Sequence, residues 1–311
     1  MKIRKHYILA KIEATYGVDP TPTAGANAIL TSGLNRKIYE GNKVTRNLDR
    51  ATLGADEEIN TGPYAMVEFG VEIAGAGAAG DVPAYGPLLR ACGFAETITA
   101  STSVEYDPVS TGYESITIWY DQDGERQVIK GCRGTVRFSL NAEAIPMMYF
   151  TFTGLYAKPT AQSLLVPDIS SFLFPLPVNN VNTPTCTFDA YDAIMQTLEI
   201  DWGGDVPYFN LVNLEKVDIT DRAPAGTVTI LAPVLATKDM FALAESHNGV
   251  TTTDFQLVHG TAAGNIVTID APTAQLSGIT EVDIKGDLGY QMGMRLLPGA
   301  SGDDEFKITI T

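Results

Sequence analysis

Only three cysteines occur in the 311 residues, Cys92, Cys132 and Cys186. So sparse and odd a set makes a poor disulfide framework, and it reads as reduced thiols of a core. Basic residues are scarce too: 21 Lys and Arg face 37 Asp and Glu, a formal charge of -16. A surface that grips phosphate backbones is thereby disfavoured, because such affinity comes from cations that displace counterions. Divided after Ala157, the chain holds 14 basic against 18 acidic residues in the first part and 7 against 19 in the second, or -4 and -12. No stretch approaches the ~18 unbroken apolar residues of a spanning helix, so no membrane insertion is expected. The basic opening MKIRKHYILAKIEATYG lacks the apolar core of about 7–15 residues that a secretion signal carries, and synthesis in the cytoplasm is expected. Histidine is as rare as cysteine. His6, His247 and His259 stand far apart with no partner at metal-ligand spacing. No Gly-x-Ser-x-Gly elbow or Cys/His arrangement supplies a nucleophile. Neither a metal, a cofactor nor an enzymatic activity is expected.

What the chain does contain is enough apolar material to fold, 45% hydrophobic against 19% charged residues, over a length that suits about two domains. Period-two alternation dominates, the mark of strands with one buried face. Within Tyr64–Ile73, Val67, Phe69, Val71 and Ile73 point one way while Glu68 and Glu72 point the other. Ile116, Ile118 and Tyr120 alternate with Thr117 and Trp119, and Asp121-Gln-Asp-Gly124 turns the chain into a hairpin partner over Arg126–Lys130. Thr135–Leu140 and Met148–Phe152 continue the pattern. Helical spacing is confined to Tyr85–Phe94 and to Thr237–Glu245, where Thr237 is the expected N-cap.

The order of these elements recurs. One pass runs from a strand near Leu34–Tyr39 through a long polar segment, a strand, a helix and a hairpin to Leu155. The other runs from Thr197–Trp202 through a polar connection, Gly226–Leu231, a helix, Asp254–His259 and Asn265–Ile269 to Leu297. The expected architecture is therefore mainly β, with two tandem β-sandwich or barrel domains over 1–157 and 185–311, each carrying one short α-helix. Between them, the proline-rich stretch 158–184 cannot be a sheet centre, since proline lacks an amide donor. Its Phe172, Leu173, Phe174 and Leu176 predict that it lies packed on a surface. Three further segments read as contact arms: the N-terminal stretch to Ala28, the polar loop 40–62, and the tail ending FKITIT. A terminal strand invites pairing with another chain's edge.

Two motifs look like sites and read better as turns. Gly75-Ala-Gly77-Ala-Ala-Gly80 fits a dinucleotide fingerprint, but Asp81, Val82 and Pro83 follow at once where a long helix should begin. Asp121–Glu125 lacks the spaced acidic ligands of a calcium loop. Acidic residues on the wet faces of strands remain, namely Glu68, Glu72, Glu199, Asp201, Asp218 and Asp283. They fit either a solvated face or a channel wall past which a polyanion slides by like-charge repulsion.

The segments ILAKIEATYGVDPTP, NLDRATLGADEEINTGPY, YGPLLRACGFAET, FTFTGLY, ITDRAPAGTVTI, LATKDMFALA and VHGTAAGNIVTIDAP together resemble the tail-tube proteins of long, flexible, non-contractile phage tails. The resemblance implies a structural virion protein that self-assembles into stacked rings, the conduit for DNA ejection. Its implied partners are copies of itself, the tape-measure protein, the tail terminator and distal tail proteins, with DNA passing transiently. It implies that loop 40–62, with Arg46, Asn47, Asp49, Arg50, Asp56, Glu57 and Glu58, grips the next ring. With a duplicated unit, three chains would supply a pseudo-sixfold ring. The alternative is a tandem β-sandwich module on the virion that recognises a protein or glycan.

Overall fold

The computed structural model describes residues 1–311. β1 (His6–Ile12) pairs with the short β2 (Ala28–Ile29), and β3 (Ser32–Glu40) leads into a two-stranded arm of β4 (Lys43–Thr45) and β5 (Glu58–Asn60). β6 (Tyr64–Glu72) follows, then α1 (Gly86–Arg90), the hairpin β7 (Phe94–Thr99) and β8 (Ser103–Pro108), β9 (Ile116–Gln122), the 18-residue β10 (Gly124–Asn141), β11 (Met147–Leu155) and β12 (Thr160–Gln162). The remainder comprises β13 (Thr185–Phe188), β14 (Tyr191–Asp192), β15 (Met195–Asp201), β16 (Gly204–Asp205), β17 (Tyr208–Leu211), β18 (Leu214–Val217), β19 (Asp221–Arg222) and β20 (Ala225–Leu231). The chain closes with α2 (Met240–Ala244), β21 (Thr253–His259), the 18-residue β22 (Val267–Ile284), β23 (Asp287–Leu296) and β24 (Lys307–Ile310). The fold is mainly β, as the alternation predicts. Each predicted helix shrinks to five residues, and the N-cap of α2 is Asp239, whose side chain accepts from the Ala242 amide. Thr237 lies outside the cap; its amide is already bonded to the Val234 carbonyl in the preceding turn.

The two long strands organise the sheets. The first part of β10 pairs with β9, which pairs with β1; beyond a bulge between Ile129 and Cys132, β10 pairs with β11 instead. Gly131 makes that bend at φ +59°, where an added Cβ would collide with the Tyr16 ring. The first part of β22 likewise pairs with β21, which pairs with β13, and its second part pairs with β23. Eight strands then lie side by side in the order β3–β6–β11–β10–β15–β20–β23–β22, every pair antiparallel. Counted in chain order, the first four and the last four have the same arrangement, with the shortest hairpin outermost at the β10 or β22 side. The segments expected separately at Arg126–Lys130 and Thr135–Leu140 are thus one strand serving two sheets.

A single core of 49 buried residues runs through both halves of the chain. The buried sides of β6 (Val67, Phe69, Val71), β11 (Met148, Phe150, Phe152) and β23 (Met292, Met294, Leu296) feed it. Trp202 bridges the halves: its ring lies 4.5 Å from Phe94 and 5.9 Å from Phe306, and Nε1 donates to the Cys92 carbonyl at 3.1 Å. All three cysteines are buried free thiols, and burial pushes Cys186 up to about 12 and the other two well above their usual range.

Two of the predicted arms are built into the sheets. β1 is held between β9 and β2 with Ile8, Leu9 and Ala10 buried. β24 is inserted between β22 and β8, so both of its edges are occupied within the chain. Its alternation of Phe306, Ile308 and Ile310 is a core pattern, and core burial outweighs the exposed-edge reading. The stretch 158–184 does lie against the protein through half-buried Phe172, Leu173 and Leu176, but Phe174 is 85% exposed. The glycine-rich loop after β6 meets a second one. Gly75 donates to Asn265 Oδ1 at 2.7 Å and Gly77 to the Gly264 carbonyl at 2.8 Å. A Cβ on Gly75 would strike that carbonyl, so glycine here permits backbone to approach backbone.

Buried His259 holds its Nδ1 2.8 Å from Thr183 Oγ1, and burial depresses its pKa below the ordinary imidazole value. As pH falls below about 6.5 the unfolded chain binds this proton first, so stability from this residue is present above that pH and lost beneath it. Urea unfolding at about pH 7.5 and about pH 5.5 is expected to show a smaller acid loss for His259→Gln than for the wild type. Parallel pH profiles of the two proteins contradict this.

Candidate assembly site

Residues opposite one another in a ladder project to the same face, and one face of the eight-stranded sheet is wet. A single file crosses all eight strands: Ser32, Gly70, Tyr149, Arg137, Asp201, Ala225, Arg295 and Gln275. Beside it runs Glu72, Met147, Ser139, Glu199, Thr227, Gly293 and Ser277. On the other side Asn35, Glu68, Thr151 and Thr135 align, with Lys37 two residues on. The face is polar because each of these alternates with a core side chain.

Four of the six acidic residues singled out from the sequence meet here: Glu68, Glu72, Glu199 and Asp201. Two do not. Asp218 follows β18 and is ion-paired with Arg133 (2.5 Å) and Lys216. Asp283 stands at the β22–β23 turn and accepts from the Gly286 amide, one residue out of phase with the wet side. Period-two counting cannot see that the hairpin around Asp218 leaves the sheet.

Two of these four anions, Glu68 and Glu199, are ion-paired. Lys37 Nζ lies 2.9 Å from Glu68 Oε1, and this hydrogen bond holds the Glu68 carboxyl below its usual range. Arg137 lies 2.6 Å from Glu199 and over the Tyr149 ring, while Ser139 and Asn141 also donate to Glu199. Lys37, Arg133, Arg137 and Arg295 stand against Glu40, Glu68, Glu72, Glu199, Asp201 and Asp287, four cations to six anions. Most of the rest is threonine, serine, asparagine, glutamine and glycine, with Tyr149, Met147 and Ala225 among them. The pairs are exposed and each stabilises little; what they do is reduce the net field of the face.

The sheet is open at both sides. β3 pairs only with β6, and from Leu276 onward β22 pairs only with β23. Unpaired strand edges of this length are templates for pairing with another chain. From the β3–β6 end projects the arm, whose stem is β4–β5 and whose loop is pinned by Lys43–Glu58, Arg46–Glu57 and Arg50–Asp56 pairs. The Leu48 amide donates to Asp56, and the Leu53 side chain is wholly exposed, as are Val44 and Ile59 for the most part. Asn47 and Asp49 face solvent. An ordered arm with outward apolar side chains has the build of a contact element.

Sequence reasoning missed a second projection. The residues between β15 and β20 read as a polar connection, yet they form the β17–β18 hairpin, whose strand alternation in YFNLVNLEKV is the signal that identifies it. It lies beside the root of the arm, with the Tyr208 ring 5.1 Å from the Tyr64 ring.

A family model described as phage tail tube protein matches residues 4–292. No curated protein matches the chain.

Proposed function

The chain belongs to the phage tail tube protein family, and from that premise we propose that three copies close into each ring through β3 of one copy and β22 of the next. It is a structural protein of the phage tail, which assembles with itself into the tube that conducts DNA to the host. The ring geometry is our own reading, and one observation carries it.

That observation is the junction inside the chain. β10 and β15 join the two four-stranded groups edge to edge, Arg137 opposite Asp201 and Asn141 opposite Thr197. By its place in the order, β22 is to the second group what β10 is to the first, and β3 is to the first what β15 is to the second. The free sides of β22 and β3 are therefore the two halves of a junction the molecule already makes once. Repeating it between copies favours a closed ring of three times eight strands, six alike junctions, three of them within chains. Closure removes both open edges of the eight-stranded sheet. On this reading residues 1–157 and 185–311 are duplicated tube units linked by 158–184, and the polar face turns inward. Its modest excess of anions supports a bore along which a passing polyanion slides without binding. Loop 40–62 then grips the next ring, and the tape-measure, terminator and distal tail proteins meet the inside and ends of the tube. No catalytic step belongs to this role.

Mass measurement of rings released from tubes, with rotational averaging of end-on images, tests the proposal. Three chains per ring with sixfold-like density are expected. Six chains per ring overturn it.

A further inference from the structure

The β17–β18 hairpin has a fixed stem and a bare tip. Tyr208, Phe209, Asn210 and Leu211 pair with Val217, Lys216, Glu215 and Leu214, and the Val217 amide donates to the Tyr16 hydroxyl at 2.6 Å. At the end of the stem Leu211 is 60% exposed and Leu214 partly so, and beyond it Val212 is 93% exposed. Asn213 takes φ +67°, so the turn is defined. Holding apolar side chains rigidly in water costs free energy in the lone chain, and pre-organisation lowers the cost of a later contact.

A matching patch lies at the far end of the same strands. The hairpin joins the end of β15 to the start of β20. Ile194 precedes the start of β15, Val234 follows the end of β20, and Leu288 opens β23. All three are exposed, and Ile194 and Leu288 flank the end of β20: the Leu231 amide donates to the Ile194 carbonyl and the Ala232 amide to the Leu288 carbonyl, with Val234 two residues further along the chain. Because β15 and β20 are antiparallel, tip and patch are separated by the strand length, about 20 Å. They cannot meet in one chain.

Resting on the tube reading, we infer that the Leu211–Leu214 tip of each copy seats on the Ile194–Val234–Leu288 patch of a copy in the adjoining ring. The occupant is a second copy because the rim of a ring within a tube faces only another ring. The contact is head-to-tail, so it propagates without closing, as an axial stack requires. Adjoining rings are then held by two kinds of projection, the ion-paired arm at β4–β5 and this shorter apolar hairpin, each rising between the first two strands of its group.

The test is a thiol crosslink in assembled tubes, which the buried native cysteines do not confuse. With Val212→Cys and Val234→Cys together, a short bis-thiol reagent is expected to give a ladder of covalent multimers. Either single variant is expected to remain monomeric. Val212→Asp is expected to keep the wild-type thermal transition and to lose tubes at least tenfold. Double-cysteine tubes that give no ladder, a covalent dimer from Val212→Cys alone, or abundant tubes from Val212→Asp overturn the inference. Wild-type protein that forms no tubes under the same conditions overturns the tube reading on which it depends.

Discussion

Removing residues 303–311 is expected to leave no folded protein. β24 fills the gap between β22 and β8, with Ile308 opposite both Tyr106 and Ile269, and Ile310 opposite both Val104 and Val267. Phe306, Ile308 and Ile310 are buried, and the Thr311 carbonyl accepts from the Gly264 and Ile266 amides. Glu305 and Asp303 hold the Arg222 guanidinium, and Lys307 pairs with Glu105. Exposing the three apolar side chains alone forfeits about 5–9 kcal/mol, comparable with the ~5–15 kcal/mol net stability of a whole domain. Two strand edges would open as well. Expression of the truncated chain is therefore expected to yield aggregates without a cooperative melting transition. A soluble truncated chain that melts like the wild type, but makes no tubes, would restore the reading of this tail as an arm.

Trp202→Ala is expected to lower stability by about 3–5 kcal/mol, the usual cost of emptying a large aromatic site, with a further penalty for the buried Cys92 carbonyl that loses its donor. The side chain is 1% exposed and touches Phe94 from the first half and Phe306 just before the last strand, with Arg222 above its ring. Trp202→Phe keeps the aromatic packing and loses the hydrogen bond, so it should cost roughly 1–2 kcal/mol. Urea midpoints at unchanged slope measure both. A loss below ~1 kcal/mol in the alanine variant means that the halves are not coupled through this ring.

Much of the strand inventory was legible because alternation is a local property. Val67, Phe69 and Val71 must share a face wherever their strand ends up, and Asp121–Gly124 must turn. The same locality explains the misreadings. FKITIT is a strand in any reading, but whether it pairs with a neighbour or with β22 and β8 depends on residues about 40 and 200 positions away. The opening residues and Gly75–Gly80 were ambiguous for that reason too. The glycines suit a phosphate as well as they suit another backbone until Gly264 is seen against them.

The acidic set shows the division most clearly. Sequence determines that Glu68, Glu72, Glu199 and Asp201 lie on polar sides of strands. Only the ladders bring them onto one sheet, and only packing sets Lys37 and Arg137 beside two of them, leaving Asp218 to another ion pair.

The sequence alone determines a mainly β chain without a disulfide framework, rich in half-buried strands, whose segments resemble tube-forming proteins. Those traits follow from side-chain periodicity and composition, which each segment carries with it. Tertiary structure decides that the two halves share one core and one sheet, that both termini are structural, and that one edge of β3 and one edge of the second part of β22 are left unpaired. Those outcomes turn on which edges meet, and hydrogen bonding between strands is blind to side-chain identity until register and burial choose among the partners.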